Sequence, residues 1–258
     1  MSYWADRWAL SQTKLSNKNI KEIEKQMRKY YATAAERVIA DFEATHNKLL
    51  AQQADGKQVT PADLYKLDKY WQAQGQMRQQ LRKLGEKQIS TLTKMFEISF
   101  FDIYYSIDIQ GATAFSTIDN AGALQLINSI WCADGKSWSQ RIWDNVELLA
   151  ETLNEGLIHC VAAGKKTTEL KNILQERFGV GYNRADALVR TEIAHIQTEA
   201  AKKRYEDYGV QQVEIWADED ERRCEVCGKL HETKYPIGAQ VPIPAHPNCR
   251  CCIIPVVD

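Results

Sequence analysis

The sequence predicts a mainly helical protein with a long N-terminal helical hairpin and a small C-terminal α+β domain that contains a zinc knuckle. Two observations predict this fold class. Apolar residues recur every three or four positions in long stretches before residue 210. Five of the seven cysteines and two of the five histidines lie within residues 224–252. A chain of 258 residues can bury its own core without disulfide bonds.

The N-terminal elements follow from hydrophobic periodicity and from helix-boundary signals. Residues 18–52 carry apolar side chains at helical spacing and predict one long amphipathic helix. A polar stretch, ADGKQV, follows. Thr60 before Pro61 then predicts the N-cap of a second helix, whose apolar stripe reaches Leu84. Two long helices joined by a short polar loop predict an antiparallel hairpin.

The middle of the chain is less regular. Residues 95–136 mix aromatic residues with glycine and follow no single period, so we expect irregular structure there. A helical pattern returns at Ser137 and stops at Gly164. We therefore divide the chain into a helical N-terminal body, residues 1–164, and a C-terminal domain, residues 165–258.

The C-terminal domain begins with helices and ends with strands. A short helix is predicted over residues 168–179 and another over residues 183–208, with Gly209 as its C-cap. The alternating segment VEIW and the apolar segment CIIPVV predict strands on either side of the cysteine-rich region.

The formal net charge of -1 conceals two unlike halves. Residues 1–100 hold 17 basic against 11 acidic side chains, and the remainder holds 16 against 23. A basic front half suits DNA or an acidic partner, and a solvated helix face is the alternative. The N-terminus lacks the pattern of a secretory signal, and three acids interrupt the most apolar run, so we expect no membrane span and a reducing compartment.

The cysteine-rich region has the spacing of a zinc site. Cys224 and Cys227 form a Cys-x2-Cys pair, and His246 and Cys249 repeat the same spacing further on. Together they supply the four nitrogen and sulfur ligands that tetrahedral zinc requires. Cys251 is an alternative fourth ligand, because it lies on the same side of an extended segment as Cys249. Four filled positions predict a structural zinc site; a reduced thiol cluster without metal is the alternative.

Catalytic motifs are absent from the sequence. His231-Glu232 follows the Cys pair, whereas a zinc deaminase needs His-x-Glu before its Cys pair. An HNH-type nuclease would need a catalytic histidine, for which only His231 is available. The sequence contains no P-loop, His-Glu-x2-His or Gly-x-Ser-x-Gly motif. We therefore expect no enzyme, no catalytic residues and no small-molecule substrate, with a zinc-containing nuclease or transferase as the alternative.

An ordered series of short motifs extends over residues 165–258. In chain order it comprises Arg190-Thr191-Glu192, Tyr205, Gly209, Trp216, Asp220 to Cys227, and His246-Pro-Asn-Cys-Arg-Cys251. This series resembles the C-terminal domain of phage head-morphogenesis proteins, the minor head proteins similar to phage Mu protein F. Arg223 stands where the family often has threonine, so the hairpin between the two knuckles is expected to differ.

The resemblance implies a structural role in a virus particle. It implies a virion component present in few copies inside the phage head near the portal, which assembles in the host cytoplasm. Portal and capsid proteins would be its partners and would be contacted by the N-terminal helical body. A membrane would not be a partner. It implies a part in head morphogenesis and in DNA packaging or ejection, and no catalytic activity. A protein that binds DNA non-specifically through its basic N-terminal helices is the alternative.

The resemblance also suggests a role for three charged residues. Arg190 would pair with Asp220 and, with Glu192, form a structural clasp that fixes the helix against the metal knuckle. Ordinary surface charge is the alternative interpretation of all three residues.

Overall fold

The computed structural model of the protein describes residues 3–54, 60–109, 113–114, 116–217, 221 and 223–256. Within these residues lie seven helices and a three-stranded antiparallel sheet. The elements are α1 (Tyr3–Ala54), α2 (Pro61–Tyr65), α3 (Asp68–Ser106), α4 (Asn120–Ile127), α5 (Trp138–Ala162), α6 (Thr167–Asp207), β1 (Gln212–Trp216), α7 (Glu225–Leu230), β2 (Lys234–Pro236) and β3 (Cys252–Pro255). The predicted fold class is confirmed. None of the helices described is both long and apolar enough to cross a membrane.

Helices α1 and α3 form the predicted antiparallel hairpin. The Lys87 ammonium lies over the ring of Tyr30, 5.6 Å from its centroid, and Arg37 donates to Gln80 at 3.2 Å. Residue numbers fall along α3 as they rise along α1, so the two helices run in opposite directions. Thr60 is the N-cap of α2, as predicted, and the Asp63 carboxylate accepts hydrogen bonds from its N–H and its hydroxyl.

Two predictions for the segment between α1 and α5 are wrong. The helix that starts at Pro61 ends after one turn as α2, and α3 begins at Asp68. The irregular structure expected over residues 95–136 is also wrong for the segment that completes α3 and for α4. Buried residues at Phe96, Phe100 and Ile103 keep helical spacing there. Exposed apolar residues on the same helix, such as Tyr105, conceal that period in the sequence.

The two helices expected over residues 168–179 and 183–208 are one continuous helix, α6. Gly181 does not interrupt it, because the glycine serves a close approach between helices instead of a turn. A Cβ atom at Gly181 would lie 3.2 Å from both terminal carbons of Leu149. The C-cap at Gly209 is confirmed, since its φ is +76° and the N–H of Val210 donates to the carbonyl of Tyr205.

The sheet has the strand order β2-β1-β3. Both predicted strands are confirmed as β1 and β3, which pair antiparallel with Ile215 opposite Ile253. The third strand, β2, is a finding of the structure. Trp216 and Ile254 pack against Ala9 of α1 in a small apolar cluster.

The chain forms two compact units that are interleaved along the sequence. One contains Met1–Glu24, Thr91–Trp138 and Asp186–Asp258, and the other contains Lys25–Ser90 and Ser139–Ala185. The sheet and all the predicted metal ligands belong to the first unit. The division into domains at residues 164 and 165 stays a prediction.

Candidate metal centre

The predicted metal ligands converge next to the start of α7. The sulfur atoms of Cys224 and Cys227 lie 3.2 Å and 3.1 Å from Nε2 of His246. Sγ of Cys227 lies 3.8 Å from Sγ of Cys249. The structure therefore brings together residues that are separated by up to 25 positions in the sequence (224 and 249).

The donors form two groups of three that share one cysteine. Cys224, Cys227 and His246 form the first group, and Cys227, Cys249 and Cys251 form the second. Within each group the donor atoms all lie within 4.8 Å of one another. A cluster of this composition can hold a metal ion that prefers thiolate and imidazole ligands.

Local backbone geometry orients the Cys-x2-Cys pair. Cys224 is the N-cap of α7, and its sulfur accepts a hydrogen bond from the N–H of Cys227 at 3.3 Å. This hydrogen bond lowers the pKa of Cys224, because it stabilises the thiolate. Burial, in contrast, raises the pKa of Cys227 to about 12. Without a metal, Cys224 therefore ionises more readily than Cys227.

Cys249 and Cys251 are distinguished by the hydrogen bond between them. The Cys251 thiol donates to the Cys249 sulfur, which lowers the pKa of Cys249 to about 5. The same hydrogen bond raises the pKa of Cys251 well above its ordinary value. The hydrogen bond therefore favours the thiolate on Cys249 over a thiolate on Cys251, and thiolates are the form that binds metals. Both cysteines remain within reach of Cys227.

His231 lies outside the cluster, and in the sequence it has no cysteine at the two-residue ligand spacing that pairs His246 with Cys249. Its Nδ1 accepts a hydrogen bond from the N–H of Ala217 at 3.2 Å, and its ring meets that of Trp216 edge-on at 4.7 Å. His231 therefore packs against the end of strand β1 and accepts the hydrogen bond of the first N–H beyond it. His246 instead directs Nε2 at the cysteines, and its Nδ1 lies 2.8 Å from the carbonyl of Pro247.

A hydrogen bond between α6 and the second knuckle, the His246–Cys249 segment, was not predicted. The hydroxyl of Thr191 accepts from the N–H of Asn248 at 3.1 Å and donates to the carbonyl of Ala187 at 2.7 Å. Asn248 lies between His246 and Cys249 and has a φ of +61°, a left-handed conformation that asparagine tolerates. Thr191 therefore fixes the turn that presents two of the ligands. Its position inside the Arg-Thr-Glu triplet was the only signal in the sequence.

Two residues of the predicted clasp, Arg190 and Glu192, have other partners among the described residues. Arg190 pairs with Asp186 at 2.9 Å and with Glu24. Asp220 lies outside the described residues, so its pairing with Arg190 stays a prediction. Additive losses of stability in Arg190→Ala, Asp220→Ala and the double variant would exclude that pairing.

Glu192 is buried, not part of the solvated surface. Its side chain is only 2% exposed, and it accepts a hydrogen bond from the indole N–H of Trp131 at 3.0 Å. The Trp131 ring in turn stacks on His195, with 4.4 Å between ring centroids. This contact ties α6 to the segment that follows α4.

One protein family matches the part of the chain that contains this cluster. Residues 151–254 match the family described as phage Mu protein F like protein. The match covers less than half of the chain but includes all five candidate ligands, all of α6 and all of the sheet except Pro255. It confirms the resemblance predicted from the ordered motifs. No curated protein and no solved structure matches the chain.

Proposed function

We propose that this chain is a phage minor head protein, a structural component inside the head near the portal. It acts in head morphogenesis and in DNA packaging or ejection, and its partners are portal and capsid proteins. One observation supports this most strongly. The family match over residues 151–254 coincides with the part of the chain in which the ordered Cys and His residues form two groups of donors that share Cys227.

The cluster serves as a structural zinc site in this proposal. For zinc–sulfur bonds of about 2.3 Å in a tetrahedron, the two sulfurs of a pair are expected about 3.8 Å apart. The separation between Cys227 and Cys249 is 3.8 Å. Cys224, Cys227, His246 and Cys249 would fill four positions and leave none for a reacting water molecule. Zinc then joins α7 to the segment before β3.

Cysteine variants test the ligand assignment. Cys227→Ser should abolish stoichiometric zinc binding, because Cys227 belongs to both groups of donors. Cys249→Ser should weaken zinc binding much more than Cys251→Ser, because Sγ of Cys249 lies 3.8 Å from Sγ of Cys227, the separation expected for two sulfurs on one zinc ion. Zinc content after dialysis against a chelator measures both effects. Equal losses in the Cys249 and Cys251 variants would contradict the assignment of Cys249.

The head assignment is tested by mass spectrometry of purified virions and procapsids of the virus that encodes this chain. The count of this chain is compared with the count of portal subunits in the same particles. The proposal predicts a few copies per head in both kinds of particle. Absence from both would refute the assembly role and leave the metal site as a structural feature only.

Non-specific DNA binding is the second candidate function. Lys14, Lys18 and Lys21 lie at helical spacing on α1, are exposed, and form no ion pair with any acid among the described residues. Each phosphate that a lysine neutralises adds about 0.9 to the steepness with which log affinity falls with log salt. Replacing the three lysines by glutamine should therefore reduce that slope by about 3 for duplex DNA. An unchanged slope, or no binding at low salt, would exclude this function for the three lysines.

A further inference from the structure

A cavity of about 660 Å³ lies beside the metal cluster in the first compact unit. Its walls come from α1, from α6 and from residues 248–252 of the second knuckle. Cavities of about 300–1,000 Å³ are typical of ligand sites in proteins. The size therefore fits a bound group larger than an ordered water molecule or a single ion.

The wall of this cavity contains a hydrogen-bond donor without an acceptor. Gln197 of α6 lines the cavity and is only 7% exposed. Its Nε2 atom is buried and has no hydrogen-bond partner among the residues that the structure describes. An unpaired buried amide group costs about 1–3 kcal/mol. Such a cost is removed when a ligand brings an acceptor to the amide nitrogen.

The remaining wall groups favour a neutral ligand over a phosphate. The Arg190 guanidinium already pairs with the carboxylates of Asp186 and Glu24, so its charge is balanced within the protein. The other cation of the wall, Arg250, also has an interaction within the protein. The neighbouring wall groups are neutral hydroxyls and amides: Thr13, Ser16, Asn17 and Asn248. Neutral groups that both donate and accept match the alternating N–H and C=O groups of a polypeptide main chain.

We infer that this cavity binds an extended polypeptide segment of a partner protein, one of whose main-chain carbonyls accepts a hydrogen bond from Gln197 Nε2. The inference rests on the proposed function, in which the partner is a portal or capsid protein of the same head. The partner protein would then contact the surface formed by α1, α6 and residues 248–252 of the second knuckle. The metal cluster then holds one wall of the binding site in place.

Competitive incorporation into heads tests the inference. Heads assemble in cells that express equal amounts of wild-type chain and of Gln197→Leu, and mass spectrometry of the peptide containing residue 197 gives the ratio of the two chains. Loss of one buried hydrogen bond should reduce the share of the variant about tenfold. Denaturant unfolding of the purified variant should show no loss of stability, because leucine removes an unpaired amide from the interior.

Gln88→Leu is the matched control. Gln88 has an equally buried amide nitrogen without a partner in the described structure, but it belongs to the second compact unit and does not line the cavity. It should enter heads at a ratio near one. Equal incorporation of Gln197→Leu and wild type would overturn the inference while leaving the head assignment intact. Absence of the wild-type chain from heads would overturn both.

Discussion

Replacing Asp207 by asparagine tests how the segment between α3 and α4 is held against α6. The Asp207 carboxylate is 1% exposed and accepts hydrogen bonds from the hydroxyls of Tyr104 and Ser116 and from Lys203 Nζ at 2.8 Å. The Tyr104 hydroxyl also accepts from the N–H of Ile118 at 3.1 Å. One buried carboxylate therefore organises three segments of the first compact unit.

The expected loss follows from the number of donors. Hydrogen bonds to a charged group contribute about 1.5–3 kcal/mol each, and bonds to one carboxylate are not additive. The Lys203 side chain is 29% exposed, so solvent weakens its share. We expect Asp207→Asn to lower the free energy of unfolding by about 2–4 kcal/mol. Glu206→Gln is the control, because Glu206 is 38% exposed and 3.7 Å from the same lysine, and it should cost less than about 1 kcal/mol.

The loss of unfolding free energy in Asp207→Asn should depend on pH. Burial alone raises the pKa of Asp207, but the hydrogen bonds from Lys203, Ser116 and Tyr104 outweigh it and lower the pKa below its ordinary value. A lowered pKa in the folded state stabilises the protein above the unfolded pKa of about 3.9, and that contribution disappears as the pH falls through the folded pKa. The difference between wild type and Asp207→Asn should therefore shrink below about pH 4.

Denaturant unfolding followed by tryptophan fluorescence, at pH 7 and at pH 3, measures both effects. The reasoning is refuted if Asp207→Asn costs no more than Glu206→Gln at pH 7. It is also refuted if the cost of Asp207→Asn is the same at both pH values.

Two further predictions concern close packing and the support of the knuckle. A Cβ at Gly85 would lie 2.5 Å from Cζ3 of Trp143, so Gly85→Ala should lower the free energy of unfolding by about 1–2 kcal/mol. Gly75→Ala on the same helix meets open space and should raise that free energy by about 0.5–1 kcal/mol, so stabilisation by both changes in urea unfolding would contradict this packing. Thr191→Val removes the acceptor for the Asn248 N–H and should weaken zinc binding about tenfold in chelator competition, as for other residues that orient ligands. Thr191→Ser keeps the hydroxyl and should bind zinc like wild type, and an equal loss in both variants would argue against this role.

Local signals in the sequence were enough to predict several parts of the fold. The hairpin follows from apolar spacing, and the start of α2 follows from Thr60 and Asp63. Each of these signals determines the structure of residues only a few positions away in the sequence. The C-cap at Gly209 and the donors of the metal cluster are local signals of the same kind. Helix ends and ligand pairs of this type are readable without knowledge of the tertiary structure.

The features that the sequence did not reveal depend on contacts between distant segments. Gly181 looks like a helix break until Leu149 is seen against it, and only then is the glycine explained by close packing. The hydrogen bond between Thr191 and Asn248 joins residues 57 positions apart. The acceptor role of Asp207 requires three segments that no short motif connects. Each of these contacts becomes visible only once the chain has folded.

The central claim, that the cluster is a closed structural zinc site, is tested most directly by elemental analysis and zinc-edge X-ray absorption of protein purified without added metal. The account predicts close to one zinc per chain, bound by three sulfurs at about 2.3 Å and one nitrogen at about 2.0 Å, with no water oxygen. Less than a few tenths of an equivalent of zinc, with the fold intact after chelation, would contradict it. So would a bound zinc with an oxygen ligand from water.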